Sequence, residues 1–596
     1  MAEDPGKKKV NELVSAIHQG EYVIPHFQRG YEWQPSMVSD LFESIIQDYY
    51  AGLLLFWRLD NQRAHREVWD PVWGAPEGNT PSLAILDGQQ RLASLYYAIH
   101  NPPEEFPNRK TYYRWFLNLD ECLNEEYEEA VYYRYSFHHH PTEELRERKD
   151  EWIEKGVMPL AILSRSAYLS SQEFEDWLTR YVQERHRRGI IPESISAIKV
   201  SNLLQRIRNY EFITTALRSD RDIHDICNIF ARINQKGMRL STFDLMNAFL
   251  YPHGIKLRTE LWEGLQNHQL KEIDSSMNEY LLKLISLHVQ AYCSSKYIYN
   301  LIPGAETKKR TPSGEMREVE LVHDKVHFDS LWDQACKYAE AARDIMMNVG
   351  SFDFGAIKSK FIPNTTIIPV LGAVLWERAQ GKETTGFSET CQKWYWSAVF
   401  SGDYSGSSDT VMAQDFRDWR AWLEEGREIG RVSRVDADFV ENELGLRNTA
   451  RGAQYNAVLC LLALNGAKDF DTRRPLASGD YIGEKINDHH IFPRGVEDLE
   501  DDKSTEFAEC KDSILNRTLL LDKTNKHLIR NKRPSIYLTE LMEKNPEVTR
   551  VQLEELLTAH FISPQALDCL MDDDFGGFIA ERERTLKEHI LTLVEA

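Results

Sequence analysis

Cysteine is scarce and unpaired in this sequence: eight residues, at 122, 227, 293, 336, 391, 460, 510 and 569, with no C-x-x-C spacing among them. That pattern offers neither a structural zinc site nor a disulfide framework, and reduced, buried thiols are the expectation. No G-x-x-x-x-G-K-[ST] run occurs, so the commonest phosphate loop is missing and any nucleotide must be held by other means. Long hydrophobic runs are lacking as well. The most apolar stretch, Ile367 to Trp376, is roughly half a membrane span and contains Pro369, and the first residues, MAEDPGKKKV, carry no apolar signal region. A soluble, cytoplasmic protein with no membrane attachment is expected. Positive charge is in deficit too: 71 Lys and Arg against 93 Asp and Glu leave −22 over 596 residues. Such a balance argues against a surface that coats nucleic acid along its length, so any DNA site must be a local basic patch.

What is present is ample core material, 42% apolar and aromatic residues, enough for several domains. Val38, Leu41, Phe42, Ile45, Ile46 and Tyr49 recur at helical spacing between Pro35 and Gly52. Leu83 to Leu86 reads as a short buried strand, Asp87-Gly88 as a turn, and Leu92, Leu95, Tyr96 and Ile99 as the apolar face of a second helix. From about residue 120 the composition is helical and charged. The stretch Pro303 to Val319, rich in Gly, Pro, Ser, Thr and charge, has the composition of a mobile loop or linker. An acidic run from Glu497 to Asp512 precedes a basic one from Arg517 to Arg533. The expected architecture is multidomain α+β and mostly helical: an N-terminal α/β domain over 1–250, a helical middle over 251–430 and a C-terminal α+β domain over 431–596.

Four constellations could carry chemistry. Ile24 to Trp33 combines Gln28, Arg29, Tyr31 and Trp33, a guanidinium and an amide with rings that can grip phosphate or stack on a base; an aromatic cluster with Arg29 in an ion pair explains the same residues. Asp87-Gly88-Gln89-Gln90-Arg91 sits where a strand turns into a helix, a place whose free N–H groups favour an anion, though Asp87 could equally cap the helix. Phe230 to Leu245 reads as a helix ending at an Asn-x-x-Gly turn, followed by a Ser241–Asp244 capping box, with Arg232 and Asn234 the positions where function would surface. Asn487-Asp488-His489-His490-Ile-Phe-Pro493, followed by Asn516 and Asn525, joins imidazole and carboxamide to six Lys and Arg residues from Arg517 to Arg533. That set outlines a metal-and-phosphate site with a histidine base. His138 to His140 reads as a solvated loop, and Lys7 to Lys9 as a surface charge run.

In this order the motifs resemble the modification-dependent, type IV restriction endonucleases of the GmrSD kind, to which the phosphorothioate-sensing SspE-type defence proteins are related. The family's ParB-like nucleotidase domain carries I-P-x-F-Q-R-x-Y-x-W, D-G-Q-Q-R and F-x-R-I-N-x-x-G-x-x-L-S, matched here at Ile24 to Trp33, Asp87 to Arg91 and Phe230 to Ser241. Its C-terminal domain is a His-Me finger (HNH, ββα-metal) nuclease, matched by His490 to Pro493, Asn516 and Asn525.

The resemblance implies an NTP-regulated endonuclease of prokaryotic antiphage defence that acts on modified double-stranded phage DNA. NTP would sit against Asp87, Gly88, Gln89, Gln90, Arg91, Arg232 and Asn234, and modified DNA would be sensed by Gln28, Arg29 and Tyr31. Cleavage would use Mg2+ or Mn2+, with His490 as general base, Asn516 bracing its loop and Asn525 as a metal ligand, while Lys526 and Lys532 meet DNA. The family position before the base is often acidic; here it is His489 with Asp488 one place earlier, and either could be the second ligand. A hydroxyl residue is usual where this chain has Ala93. The acidic run is expected on the outer side of the finger, Trp33 in the core and Tyr31 accessible. A homo-oligomer is among the expected assemblies. The alternative is a nucleotide-switched ParB-like DNA-binding protein without cleavage; an intact His490 and Asn525 favour the enzyme.

Overall fold

The computed structural model describes residues 5–60, 69–78, 80–107, 109–140, 147–164, 171–221, 225–227, 229, 241–266, 268–310, 316–381, 385–406, 408–448, 451–477, 484–495 and 505–595. They fall into two compact units, Met1–Arg258 and Thr259–Ala596. The architecture is mixed α/β, mostly helical and multidomain. Apart from residues 251–258, the spans expected as a helical middle and a C-terminal domain fall in the second unit.

In the first unit the strands β1 (Gly6–Lys9), β2 (Tyr22–Pro25), β3 (Leu53–Arg58), β4 (Trp69–Pro71) and β5 (Leu83–Asp87) belong to one mixed sheet. β6 (Tyr112–Asn118), β7 (Val131–Ser136) and β8 (Val157–Pro159) form a separate antiparallel sheet, and β9 (Glu211–Leu217) returns to the first. The six-stranded order is β1-β9-β3-β5-β2-β4, with β3 parallel to β9 and β5 parallel to β2. A central strand flanked in this way is buried on both faces, which is why β5 reads as an unbroken apolar run. Ile85 joins the core formed with the helices α1 (Val10–His18), α2 (Pro35–Ile46) and α3 (Gln89–His100). Ala84 and Leu86 face a second core with Leu55, Trp57 and Ala248 of α4 (Thr242–Leu250). Helix α2 stops at Ile46, so Tyr49 lies beyond it and is exposed. The capping box at the start of α4 forms as expected, Ser241 accepting from the Asp244 N–H and Asp244 from the Ser241 N–H, each at 3.1 Å.

The second unit is dominated by α5 (Met277–Gln290), α6 (Lys325–Met347), α7 (Ile368–Ala379), α8 (Phe387–Phe400), α9 (Ser408–Glu425), α10 (Ala453–Leu464) and α11 (Phe575–Glu595). The segment expected as a loop or linker, Pro303 to Val319, instead contains β10 (Glu306–Arg310) paired antiparallel with β11 (Met316–Glu320). A two-stranded ribbon rests on backbone pairing alone and shows little apolar alternation, so its composition resembles that of a loop. Further on, β12 (Ile486–His490) pairs antiparallel with β13 (Arg517–Leu521), His490 standing opposite Arg517. Among the described residues no helix is long and apolar enough to cross a membrane.

The turn before β13 is held from beneath by a fully buried cation. Arg582 of α11 donates to the carbonyls of Leu515 (2.6 Å) and Arg517 (2.7 Å), the residues on either side of Asn516, and to His560 (3.1 Å). His560 is itself buried, its Nδ1 paired with the Thr518 hydroxyl at 2.6 Å and its Nε2 with the Lys468 carbonyl at 2.7 Å. Burial draws the His560 pKa down to about 3.

An unfolded histidine titrates near 6.5, so between that pH and about 3 the unfolded chain binds a proton that the folded chain refuses. The stabilisation from neutral His560 is therefore complete above about 6.5 and is lost progressively as pH falls. His560→Gln should melt at a lower temperature than the parent at pH 8, and the gap should narrow on acidification. A gap that stays constant from pH 8 to pH 4 in thermal unfolding would contradict this.

Candidate functional site

Alternation along β12 sends adjacent side chains to opposite faces of the hairpin. Asp488 and His490 share one face, with Arg517 of β13. His490 Nε2 lies 2.9 Å from Asp512 Oδ1, an oxygen that also accepts from Arg494 Nε (2.7 Å) and Arg517 Nη2 (3.2 Å). A carboxylate can only accept, so the proton of His490 sits on Nε2 and its Nδ1 keeps a lone pair. Burial lowers the His490 pKa, which keeps the ring neutral near pH 7. Burial resists ionisation of Asp512, but the bonds from His490 and Arg494 outweigh it and hold the carboxyl down to about 2. Asp488 is already engaged: its Oδ2 accepts from Arg451 (2.9 Å), Arg517 (3.2 Å) and the Tyr455 hydroxyl.

Asn516 braces this corner. Fully buried, it accepts from the Phe492 N–H (2.8 Å) and donates to the carbonyls of Phe492 (3.0 Å) and Lys511 (2.9 Å), so the chain just after His490 is tied to the chain just before β13. The end of the acidic run therefore does not lie on the outer side as expected: Asp512 faces His490, drawn in by two arginines. Residues 497–504 of that run lie outside the described residues.

On the other face, His489 Nε2 is 3.2 Å from Asp522 Oδ1, yet this buried nitrogen makes no well-directed hydrogen bond. Asp522 also accepts from Asn487 Nδ2 at 2.6 Å, and Asn487 in turn accepts from Lys360. Asn525 lies one helical turn beyond Asp522, half-buried, its carboxamide without a hydrogen-bond partner among the described residues. No group of three or more His, Cys, Asp or Glu side chains stands ready for a metal among the described residues. An under-bonded imidazole nitrogen, a carboxylate and a free carboxamide are donors suited to one divalent cation with open positions. Of the two alternatives for the second ligand, His489 shares this face and Asp488 does not. Asp522 and Asp512 were not singled out from the sequence; the only signal for either was a carboxylate near the pairing strand. Lys526 is exposed, whereas Lys532 is paired with Glu540.

In the first unit the two N-terminal motifs come together. Gln89 donates to the Arg29 carbonyl (2.9 Å) and Gln90 to that of Gly30 (3.0 Å), while Gln90 accepts from the N–H groups of Glu32 (2.8 Å) and Trp33 (3.2 Å). Gln28 is buried and donates to the carbonyls of Ile85 and Leu86 at the end of β5. Arg29 pairs with Glu32 at 2.7 Å. Asp87 accepts from the Gly88 N–H at 2.8 Å. Gly88 has φ +95°, and a Cβ there would meet Leu54 at 2.2 Å. Arg91, expected at phosphate, donates to the carbonyls of Ala51 (2.7 Å) and Leu53 (2.8 Å) and lies 3.3 Å from Asp87.

The rings exchange their expected places. Tyr31 is buried against Trp73 and Phe106 with its hydroxyl 2.7 Å from Ser94, and burial raises its pKa; Trp33 is the half-buried one. Ring size alone favoured Trp33 for the core, but Ser94 offers Tyr31 the polar partner that a buried phenol needs. Arg232 and Asn234 lie outside the described residues. His138 to His140, expected as a solvated loop, are partly engaged, His139 with the Asn101 carbonyl and His140 with Ser136.

Residues 10–251 match the family model described as the GmrSD restriction endonuclease, N-terminal domain. The matched residues lie within the first unit. The chain is also similar, at 27% identity over 98% of its length and 99% of the other's, to the Uncharacterized protein MJ0686 of Methanocaldococcus jannaschii. The second unit, outside the matched domain, thus has a counterpart in a protein of the same extent.

Because Arg91 is bonded to backbone, Arg91→Ala should destabilise the first unit by about 1–3 kcal/mol through the carbonyls of Ala51 and Leu53 left unpaired. Thermal unfolding checks this; an unchanged melting temperature would mean that the guanidinium is not needed by the fold.

Proposed function

We propose that this chain is a metal-dependent DNA endonuclease of the modification-dependent restriction type, regulated by an NTP. The observation that carries the reading is the hairpin: neighbouring histidines at the end of β12, His490 beside Asp512 and His489 beside Asp522, with Asn516 fixing the turn before β13. In this reading Asp512 holds the Nε2–H of His490, and Nδ1 takes the proton of the attacking water. His489, Asp522 and Asn525 hold Mg2+ or Mn2+. When bound, the cation stabilises charge on the phosphate oxygens and on the departing alkoxide. Lys526 and the exposed Arg494 offer positive charge for the DNA backbone.

NTP and modified-DNA recognition belong to the first unit in this reading. Its α3 N-terminus at Asp87 to Arg91 presents backbone N–H groups suited to phosphate, with Arg232 and Asn234 as further candidates. The family match supports a restriction role on DNA. The reading is tested by incubating the pure chain with modified and unmodified phage DNA and Mg2+, with and without each NTP, and following nicking and nucleotide hydrolysis together. Absence of cleavage under every condition would leave a DNA-binding protein.

His490→Ala should lower cleavage by ~10²–10⁴ while NTP hydrolysis persists, because the base and the N-terminal motifs are in separate units. Equal cleavage by this variant removes the base assignment. Asp522→Asn should raise the Mn2+ concentration needed for half-maximal cleavage by about tenfold or more and weaken calorimetric Mn2+ binding in parallel, with a change in neither if Asp522 only orients Asn487.

A further inference from the structure

A lysine from the segment ahead of α7 stands beside the candidate metal ligands. Asn456 of α10 donates to the carbonyls of Lys360 and Ile362, each at 3.4 Å, and Phe361 between them is buried, so the backbone there is held in place. The Lys360 ammonium lies 4.8 Å from the centre of the Phe361 ring and donates to the Asn487 carboxamide oxygen, while the Asn487 amide donates to Asp522. Only one of its three N–H donors is used among the described residues, and on a neutral oxygen. Asp488 and Asp522 both attract this cation, but Asp488 is engaged by Arg451 and Arg517, and Asp522 by Asn487.

Lys360 also lines a cavity of about 800 Å³ that reaches Asn487. Four cations border it, Arg343, Lys358, Lys360 and Lys485, against two carboxylates, Glu272 and Glu484. Arg343 is paired with Asp344, and Glu484 with Lys523. The side chains of Lys358 and Lys485 make no hydrogen bond or ion pair among the described residues. Three lysines are thus set against Glu272 alone. On a chain of net charge −22 this is a local positive surplus, and like charges gathered at one cavity repel until an anion joins them. No aromatic ring lines the cavity among the described residues, so a base finds nothing to stack on there. Sites for free nucleotides and other small ligands are largely apolar and aromatic, whereas lysines without rings suit a phosphate backbone.

We propose that this cavity is a track for the DNA backbone leading to the β12–β13 hairpin, with Lys358, Lys360 and Lys485 on its phosphates. The proposal deepens the endonuclease reading and rests on DNA being the substrate. It assigns DNA contact to a segment more than a hundred residues ahead of the hairpin, joined to the candidate metal ligands through Asn487.

The test uses the full chain carrying His490→Ala, so that DNA survives, and fluorescence anisotropy with a labelled DNA duplex over a range of salt. Adding Lys358→Gln or Lys485→Gln should weaken binding about three- to tenfold and lower the salt slope by about one, and the two together should lower it by about two. Lys358→Arg and Lys485→Arg keep the charge and should keep the slope. Lys393→Gln on α8, which is not part of the lining, should leave it unchanged. Melting temperatures should not move, because neither Lys358 nor Lys485 is bonded within the fold. An unchanged slope in both glutamine variants overturns the proposal, and so does an equal loss of slope in the arginine variants. Tighter binding of polyglutamate than of DNA, lost in Lys358→Gln, reassigns the cavity to an acidic protein segment and overturns the DNA track. A parent chain that cuts DNA while these slopes stay put leaves the endonuclease reading standing without the track. One that never cuts, with slopes that fall as stated, sinks the endonuclease reading and keeps the track.

Discussion

A guanidinium sealed from water decides where the hairpin of the second unit can lie. Arg582 reaches from the last helix to three backbone carbonyls, two of which flank Asn516. A buried cation without such partners costs several kcal/mol, so any other path of the chain between Lys511 and Arg517 leaves a charge stranded. Asn516 passes that restriction on to Phe492, two residues after His490. The position of the candidate base is thus inherited from a helix some ninety residues further along the chain, through two buried polar side chains and no flexible contact.

The first unit solves a comparable problem with amides. Gln89 and Gln90 sit at the start of α3 and hold the backbone from Arg29 to Trp33, so a loop without regular structure has its polar groups satisfied. Gly52 leaves room for Arg91, whose guanidinium would collide with a Cβ there, and Gly88 does the same for Leu54. The residues that make the N-terminal motifs recognisable are in large part bonded to one another.

Much of this was legible from residue patterns. The buried run at β5, the helix after it and the capping box of α4 follow from local periodicity and turn chemistry. Charge-rich hairpins such as β10–β11 are invisible to those signals. At the candidate site, the motif spacing singled out His490, Asn516 and Asn525, because each lies in a compact pattern. It could not single out Asp512 or Asp522, whose roles arise from pairing across β12 and β13. Nor could it tell that Tyr31 would find Ser94, a partner 63 residues away. Sequence distance hides such choices, and the choice between Asp488 and His489 becomes visible only once strand alternation is known.

That alternation turns chain length into a chemical variable. Because His489 and His490 owe their different neighbours to odd and even positions on β12, a single residue inserted ahead of them, with the pairing kept, would carry His489 into the place beside Asp512 and push His490 past the strand's end, and a single deletion would carry His490 to the Asp522 face and His489 into the place of Asp488. Substitutions elsewhere in the hairpin can be absorbed by repacking, but a change of parity cannot. Over evolutionary time this strand should drift in composition far more readily than in length.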